Sequence, residues 1–189
     1  MMITKFNLYT ENSNNNNKEE IDSFFKNLNL KTDDEFISFI DNHEIDYSKG
    51  TSDYYKTYIF NIVGDPNLFD IVNHFNSTIN IDVWLKYILD DGAKDYINET
   101  NRNESALILT AFNASRQTFN DIDENIYFKC VKILIDYDAD WISEKRNDFL
   151  YYLSTVYYGN TTLKDIIIKD YPEKYKRYLM KKKAKEFNL

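Results

Sequence analysis

Glycine and proline are scarce in this chain, four and two among 189 residues. A β-sandwich or barrel turns the backbone every few residues and draws on both for its turns, so the shortage argues against those folds. The glycines stand alone at positions 50, 64, 92 and 159, which leaves no Gly-rich loop to cradle a phosphate. Cysteine occurs once, at Cys130, so no internal disulfide can form and a reducing compartment is the simpler setting. The two histidines, His43 and His74, fall in no metal-ligand spacing such as His-Glu-x-x-His. No run approaches the ~18 apolar residues of a membrane span, and Met1 to Tyr9 lacks the basic-then-apolar order of a secretion signal. A soluble, cytoplasmic protein without cofactor or metal is the expectation.

Apolar residues make up 43% of the chain, enough for one continuous core. Sixteen Tyr and thirteen Phe predict a core filled with rings. Asparagine is abundant, with a run at Asn14 to Asn17, which a genome biased toward A and T explains without function. At that content the Asn-x-Ser/Thr matches at Asn76, Asn98, Asn103, Asn113 and Asn160 are expected by chance. The net charge of −8 is unevenly spread: residues 172–189 hold seven Lys/Arg against two Asp/Glu, leaving −13 on the rest. An acidic body repels nucleic acid and attracts a basic surface. The basic end suits the C-terminal pole of a helix dipole.

One short phrase recurs. Val131, Leu134, Ile135 and the turn Asp138-Ala139-Asp140 form the clearest copy. Leu85, Ile88, Leu89 and Gly92-Ala93 form a second, and Phe36, Phe39, Ile40 and His43 a third. Apolar residues at i, i+3 and i+4 make one helical stripe, and the turn ends the helix. Before and between these copies lie further helix candidates: Ile21 to Leu28, Tyr55 to Val63, Leu68 to Phe75 and Glu104 to Asn113. After the Val131 copy come Asp148 to Tyr157, Thr162 to Lys169 and a last helix opened by Pro172. Thr32, followed by three acids, is a candidate cap. Nothing alternates long enough to demand a sheet. The expected organisation is a flexible segment over residues 1–18 and one all-α domain of stacked helix pairs over 19–189, with long insertions near 65–79 and 115–124.

These residues resemble an ankyrin-repeat protein. The ankyrin unit reads Gly-x-Thr-Pro-Leu-His-x-Ala-Ala, then Val-x-x-Leu-Leu-x-x-Gly-Ala-Asp. Asn103 to Ala111 is similar to the first half and Val131 to Asp140 to the second, while Thr57 to Val63 is a weaker first helix. Asp148 to Ser154 and Thr162 to Ile167 resemble a degenerate last unit. The Pro-Leu-His of the family is missing. Gly92 to Asp138 spans 46 residues and His43 to Gly92 spans 49, against about 33 for an ordinary unit, so a HEAT-like pair stays open beside the ankyrin-like solenoid.

The resemblance implies a protein-binding module with one protein partner, monomeric when free, using neither nucleic acid nor membrane. A small acidic ankyrin-like chain also resembles bacterial immunity proteins, which implies neutralisation of a basic toxin by occlusion. A regulatory scaffold or host-directed effector docking through the basic C-terminal helix is the alternative. The partner-facing candidates are Asp53, Tyr54, Tyr55, Tyr96, Glu99, Arg102, Trp141 and Glu144. Tyr96-Ile97 and Trp141-Ile142 follow the helix stops at equivalent places, where they either close the core or anchor a partner. No catalytic residue is expected: His43 sits at a helix end, and nothing around Cys130 points to a lowered thiol pKa.

Overall fold

The computed structural model describes residues 17–48, 50, 57–72, 79–101, 104–117, 121–142 and 149–187. Helix α1 spans residues 17–26, so the first two residues of the helix belong to the stretch expected to be a flexible tail; residues 1–16 lie outside the described residues. A 3-10 turn at Leu28–Leu30 leads to α2, Asp33–Asn42. Thr32 opens it with a capping box: its Oγ1 accepts from the Glu35 N–H, and the Glu35 carboxylate accepts from the Thr32 N–H. Helix α3 is Tyr58–Gly64 and α4 is Pro66–Val72. The latter starts two residues ahead of the expected Leu68 because Asp65 Oδ1 takes the N–H groups of Asn67 and Leu68. It fills part of the first long insertion.

Helix α5, Ile81–Asp91, is followed by a 3-10 turn at Ala93–Tyr96 and a two-residue ladder pairing β1 (Thr100–Asn101) with β2 (Glu104–Ser105). Ser105 then caps α6, Ala106–Arg116, and Asn125 caps α7, Ile126–Asp136. Of the second insertion, Ile122–Glu124 forms one 3-10 turn. Helix α8, Phe149–Leu153, is shorter than the expected Asp148 to Tyr157. Its continuation turns back instead, β3 (Tyr157–Tyr158) pairing antiparallel with β4 (Thr161–Thr162) around Gly159 at φ 61°. Helices α9 (Leu163–Asp170) and α10 (Pro172–Glu186) complete the described chain. The molecule is all-α but for these two short ladders among the described residues.

The helices pack in two rows. In one row α3 lies against α6 and α6 against α8, with α1 joined to α3 by the Phe25 and Tyr58 rings at 4.2 Å. In the other α2 lies against α5 and α5 against α7. Pairs α3/α5 and α6/α7 tie the rows together. The apolar rows Leu107, Ile108, Ala111 and Val131, Leu134, Ile135 are buried between them, as their spacing predicts. Phe36 stacks on Trp84 at 4.7 Å across the α2–α5 contact. Asp33, in the first turn of α2, accepts the Trp84 indole N–H at 2.7 Å and the Asn80 backbone N–H at 3.2 Å, tying the start of α5 to the start of α2.

The recurring phrase has a structural counterpart beyond its apolar stripe. The acids after the first two apolar pairs, Asp41 and Asp90, each receive a tyrosine hydroxyl from further along the chain, Tyr87 and Tyr137. At the third, burial and Asp136 together raise the pKa of the Tyr171 hydroxyl, which reaches the Lys132 carbonyl at 3.5 Å. The turns that follow the Leu85 and Val131 copies both need positive φ, Gly92 at 131° and Asp138 at 63°. At Asp138 the Ala139 N–H reaches back to the Leu134 carbonyl and the Asp138 N–H to that of Ile135, the double bond of a left-handed helix stop.

Candidate interaction surface

Of the three side chains weighed for catalysis, Cys130 and His43 are engaged in packing. Cys130 is fully buried, and burial pushes its thiol well above the ordinary range, so it stays protonated at neutral pH. His43 ends α2 as its position predicts, with Nδ1 2.8 Å from the Phe39 carbonyl and the ring stacked on Phe39 at 3.9 Å. His74 lies outside the described residues. Among the described residues no group of three or more His, Cys, Asp or Glu is placed to hold a metal, and no helix is long and apolar enough to cross a membrane.

Five of the eight partner candidates, Asp53, Tyr54, Tyr55, Arg102 and Glu144, lie outside the described residues. Glu99 is exposed and Tyr96 half-buried against the core. Trp141 is buried: its ring meets Phe149 edge-on at 5.0 Å and Tyr178 at 6.0 Å, beneath α10. It closes the core rather than presenting an open ring. Asn98 Oδ1 accepts the Asp140 N–H at 2.7 Å, so the Tyr96–Glu99 turn and the Trp141 turn are neighbours.

Exposed rings gather elsewhere, on the row of α6 and α8. Phe112 meets Tyr152 edge-on at 5.4 Å, and Tyr152 meets Tyr151 at 5.5 Å. The Arg116 guanidinium lies over both Phe112, at 5.2 Å, and Phe69, at 4.7 Å. Tyr151 is 52% exposed and Tyr157, on β3, 67%. Tyr158 reaches Asp121 at 3.5 Å, beyond the C-terminal end of α6. Aromatic rings and Arg held in place on a surface are the residue types that carry binding energy at interfaces. Sequence reasoning passed over them, although the doublets Tyr151-Tyr152 and Tyr157-Tyr158 and the off-stripe Phe112 were visible signals.

A second surface feature lies between α1 and α2, a groove of about 840 Å3 lined by Phe24, Leu30, Lys31, Asp34, Glu35 and Phe39 among others. At the opposite end, α10 is held by charge. Lys174 donates to the Ile135 carbonyl and to Asp138, and Lys181 reaches Asp140 at 3.5 Å. Part of the basic C-terminal charge is thus answered inside the fold. Comparison with protein-family models, curated proteins and solved structures finds no match.

Proposed function

We propose that the chain is a protein-binding module, an ankyrin-like solenoid of stacked helix pairs that holds one basic protein partner on its aromatic face. The observation that carries the reading is the cluster of Phe112, Arg116, Tyr151 and Tyr152, with Tyr157 nearby, on one helix row of an acidic body. Tyr151 and Tyr157 leave most of a large ring in water, and a partner that covers them gains both apolar area and specific contacts. The two helix rows, the left-handed turns at Gly92 and Asp138 and the ladder before α6 support an ankyrin-like unit over a HEAT-like one, since an ankyrin unit adds a turn element to its two helices. The charge of −13 outside residues 172–189 supports a basic partner, and neutralisation of a basic toxin by occlusion is the sharpest form of that reading.

The test is capture of partners from native lysate by wild type and by the double variant Tyr151→Ala, Tyr157→Ala, at low and high salt. A single basic partner, retained by wild type, released by salt and weakened at least about thirtyfold by the variant, fits two lost contacts of the order of 1 kcal/mol or more each. A partner held equally by the variant moves the interface off this face. Several unrelated partners favour the scaffold reading.

A further inference from the structure

Among the described residues nothing packs on the outer surface at either end of the stack, and the two surfaces are complementary. At one end lies the α1–α2 groove. Its floor is apolar, with Phe24 stacked on Phe39 at 3.7 Å and Leu30 71% exposed beside them. Its rim holds three carboxylates, Glu20, Asp34 and Glu35, against Lys31, whose ammonium lies over the Phe24 ring, and His43, which sits 3.6 Å from Glu20. At the other end α10 turns Tyr178 inward and leaves Lys176, Met180, Lys183 and Phe187 outward. These four are spaced by four, three and four residues, one continuous stripe on a helix, cationic and apolar by turns. Met180 is 57% and Phe187 72% exposed. The groove runs along α2 from Asp34 to Asn42, about 12 Å at 1.5 Å per residue, and Met180 to Phe187 covers about 10 Å.

We propose that the α10 stripe of one copy seats in the α1–α2 groove of a second copy, joining the molecules head to tail. Within the stack a helix pair is covered by the next pair; among the described residues no helix covers the outer face of α1 and α2, and a stack of repeats needs its ends covered. Met180 and Phe187 enter over Phe24, Leu30 and Phe39, while Lys176 and Lys183 meet the carboxylates of the rim. The stripe does not suit an anionic membrane, which the remaining −13 of the chain repels. The contact uses different patches on the two copies, so the pair still offers one free groove on one copy and one free stripe on the other, and growth is open-ended. This replaces the free monomer expected from sequence, and it does not depend on the aromatic face of α6 and α8.

Sedimentation of the full chain over a wide concentration range at low and high salt tests it. Wild type is expected to pass from monomer to dimer and larger species as concentration rises, and to return toward monomer in high salt. Leu30→Asp closes the groove, and Met180→Glu with Phe187→Glu spoils the stripe; all three positions are exposed, so circular dichroism should show unchanged folding. Each variant alone should remain a monomer. An equal mixture of the two should recover one good contact and form a 1:1 dimer and nothing larger. A wild type that stays monomeric throughout overturns the proposal, as does a mixture that fails to pair, which is the mark of a symmetric interface. Binding of wild type to phosphatidylserine vesicles without self-association would assign the stripe to a membrane instead.

Discussion

Asp33 serves two helices. Its backbone is in the first turn of α2, where a carboxylate opposes the helix dipole, while its side chain reaches α5 and takes the Trp84 indole N–H and the Asn80 N–H. Trp84 is fully buried, so removing its acceptor leaves the indole N–H without its hydrogen bond. Asp33→Ala is therefore expected to destabilise the fold by about 1–3 kcal/mol, the usual cost of an unsatisfied buried group. Asp33→Asn keeps one acceptor oxygen and should lose less. Urea unfolding midpoints rank the three proteins, and an Asp33→Ala midpoint equal to wild type would show the bond contributes nothing. Cys130 makes a second prediction at this scale. A native chain should resist a thiol reagent over the time in which the unfolded chain reacts fully, because the thiol is both buried and held protonated. The sequence named Asp33 as a first-turn acid, but nothing in the spacing reveals that a carboxylate at 33 meets an indole at 84.

Between elements, the acid at the end of each phrase copy is the recurring joint. Lys86, and next the Tyr137 hydroxyl, hold the Asp90 carboxyl below its ordinary range, and Lys174 does the same for Asp138. A carboxylate whose folded pKa is depressed stabilises the fold above its ordinary value and loses that contribution as pH falls through the folded one. Stability should therefore decline on acidification below about pH 4. Asp90→Asn should be less stable than wild type at neutral pH and show a shallower decline, which urea midpoints at stepped pH would reveal. Both groups are exposed, so the effect is small and should shrink further in salt. Half of this joint was legible. Asp41, Asp90 and Asp136 occupy one position of the phrase, but their partners do not: Tyr87 sits within α5, Tyr137 at the end of α7 and Tyr171 between α9 and α10. A partner that wanders along its helix while its hydroxyl keeps its place in space leaves no period to read. The caps at Ser105 and Asn125 were blurred for a related reason, since polar loops of Asn, Ser and Asp offer several equally good capping residues.

Across the whole molecule, the order of the helices along two rows sets where the structure is strongest. Helices α5 and α6 each pack on a neighbour on either side as well as on the facing row, and α7 packs on both of them, whereas among the described residues α2, α9 and α10 lie toward the ends of the rows. The apolar stripes that show this were in the sequence, which is why the paired helices and their core were predictable. The direction of stacking was not, because an i, i+3, i+4 stripe says that a helix buries a face without saying which helix covers it. Units that touch only their neighbours open from the ends, and each lost end unit forfeits one interface where a central one forfeits two. Native-state hydrogen exchange should therefore find the slowest amides in α5 to α7 and faster, locally opening amides in α1, α2 and α10. High salt should speed exchange in α10 in particular, since Lys174 and Lys181 help hold it to the Asp138 and Asp140 turn. Uniform protection from α1 to α10 would mean that the stack opens as one cooperative block. Protection highest at α1 and α2 would instead point to a cover on their outer face, and its decline on dilution would identify that cover as a second copy.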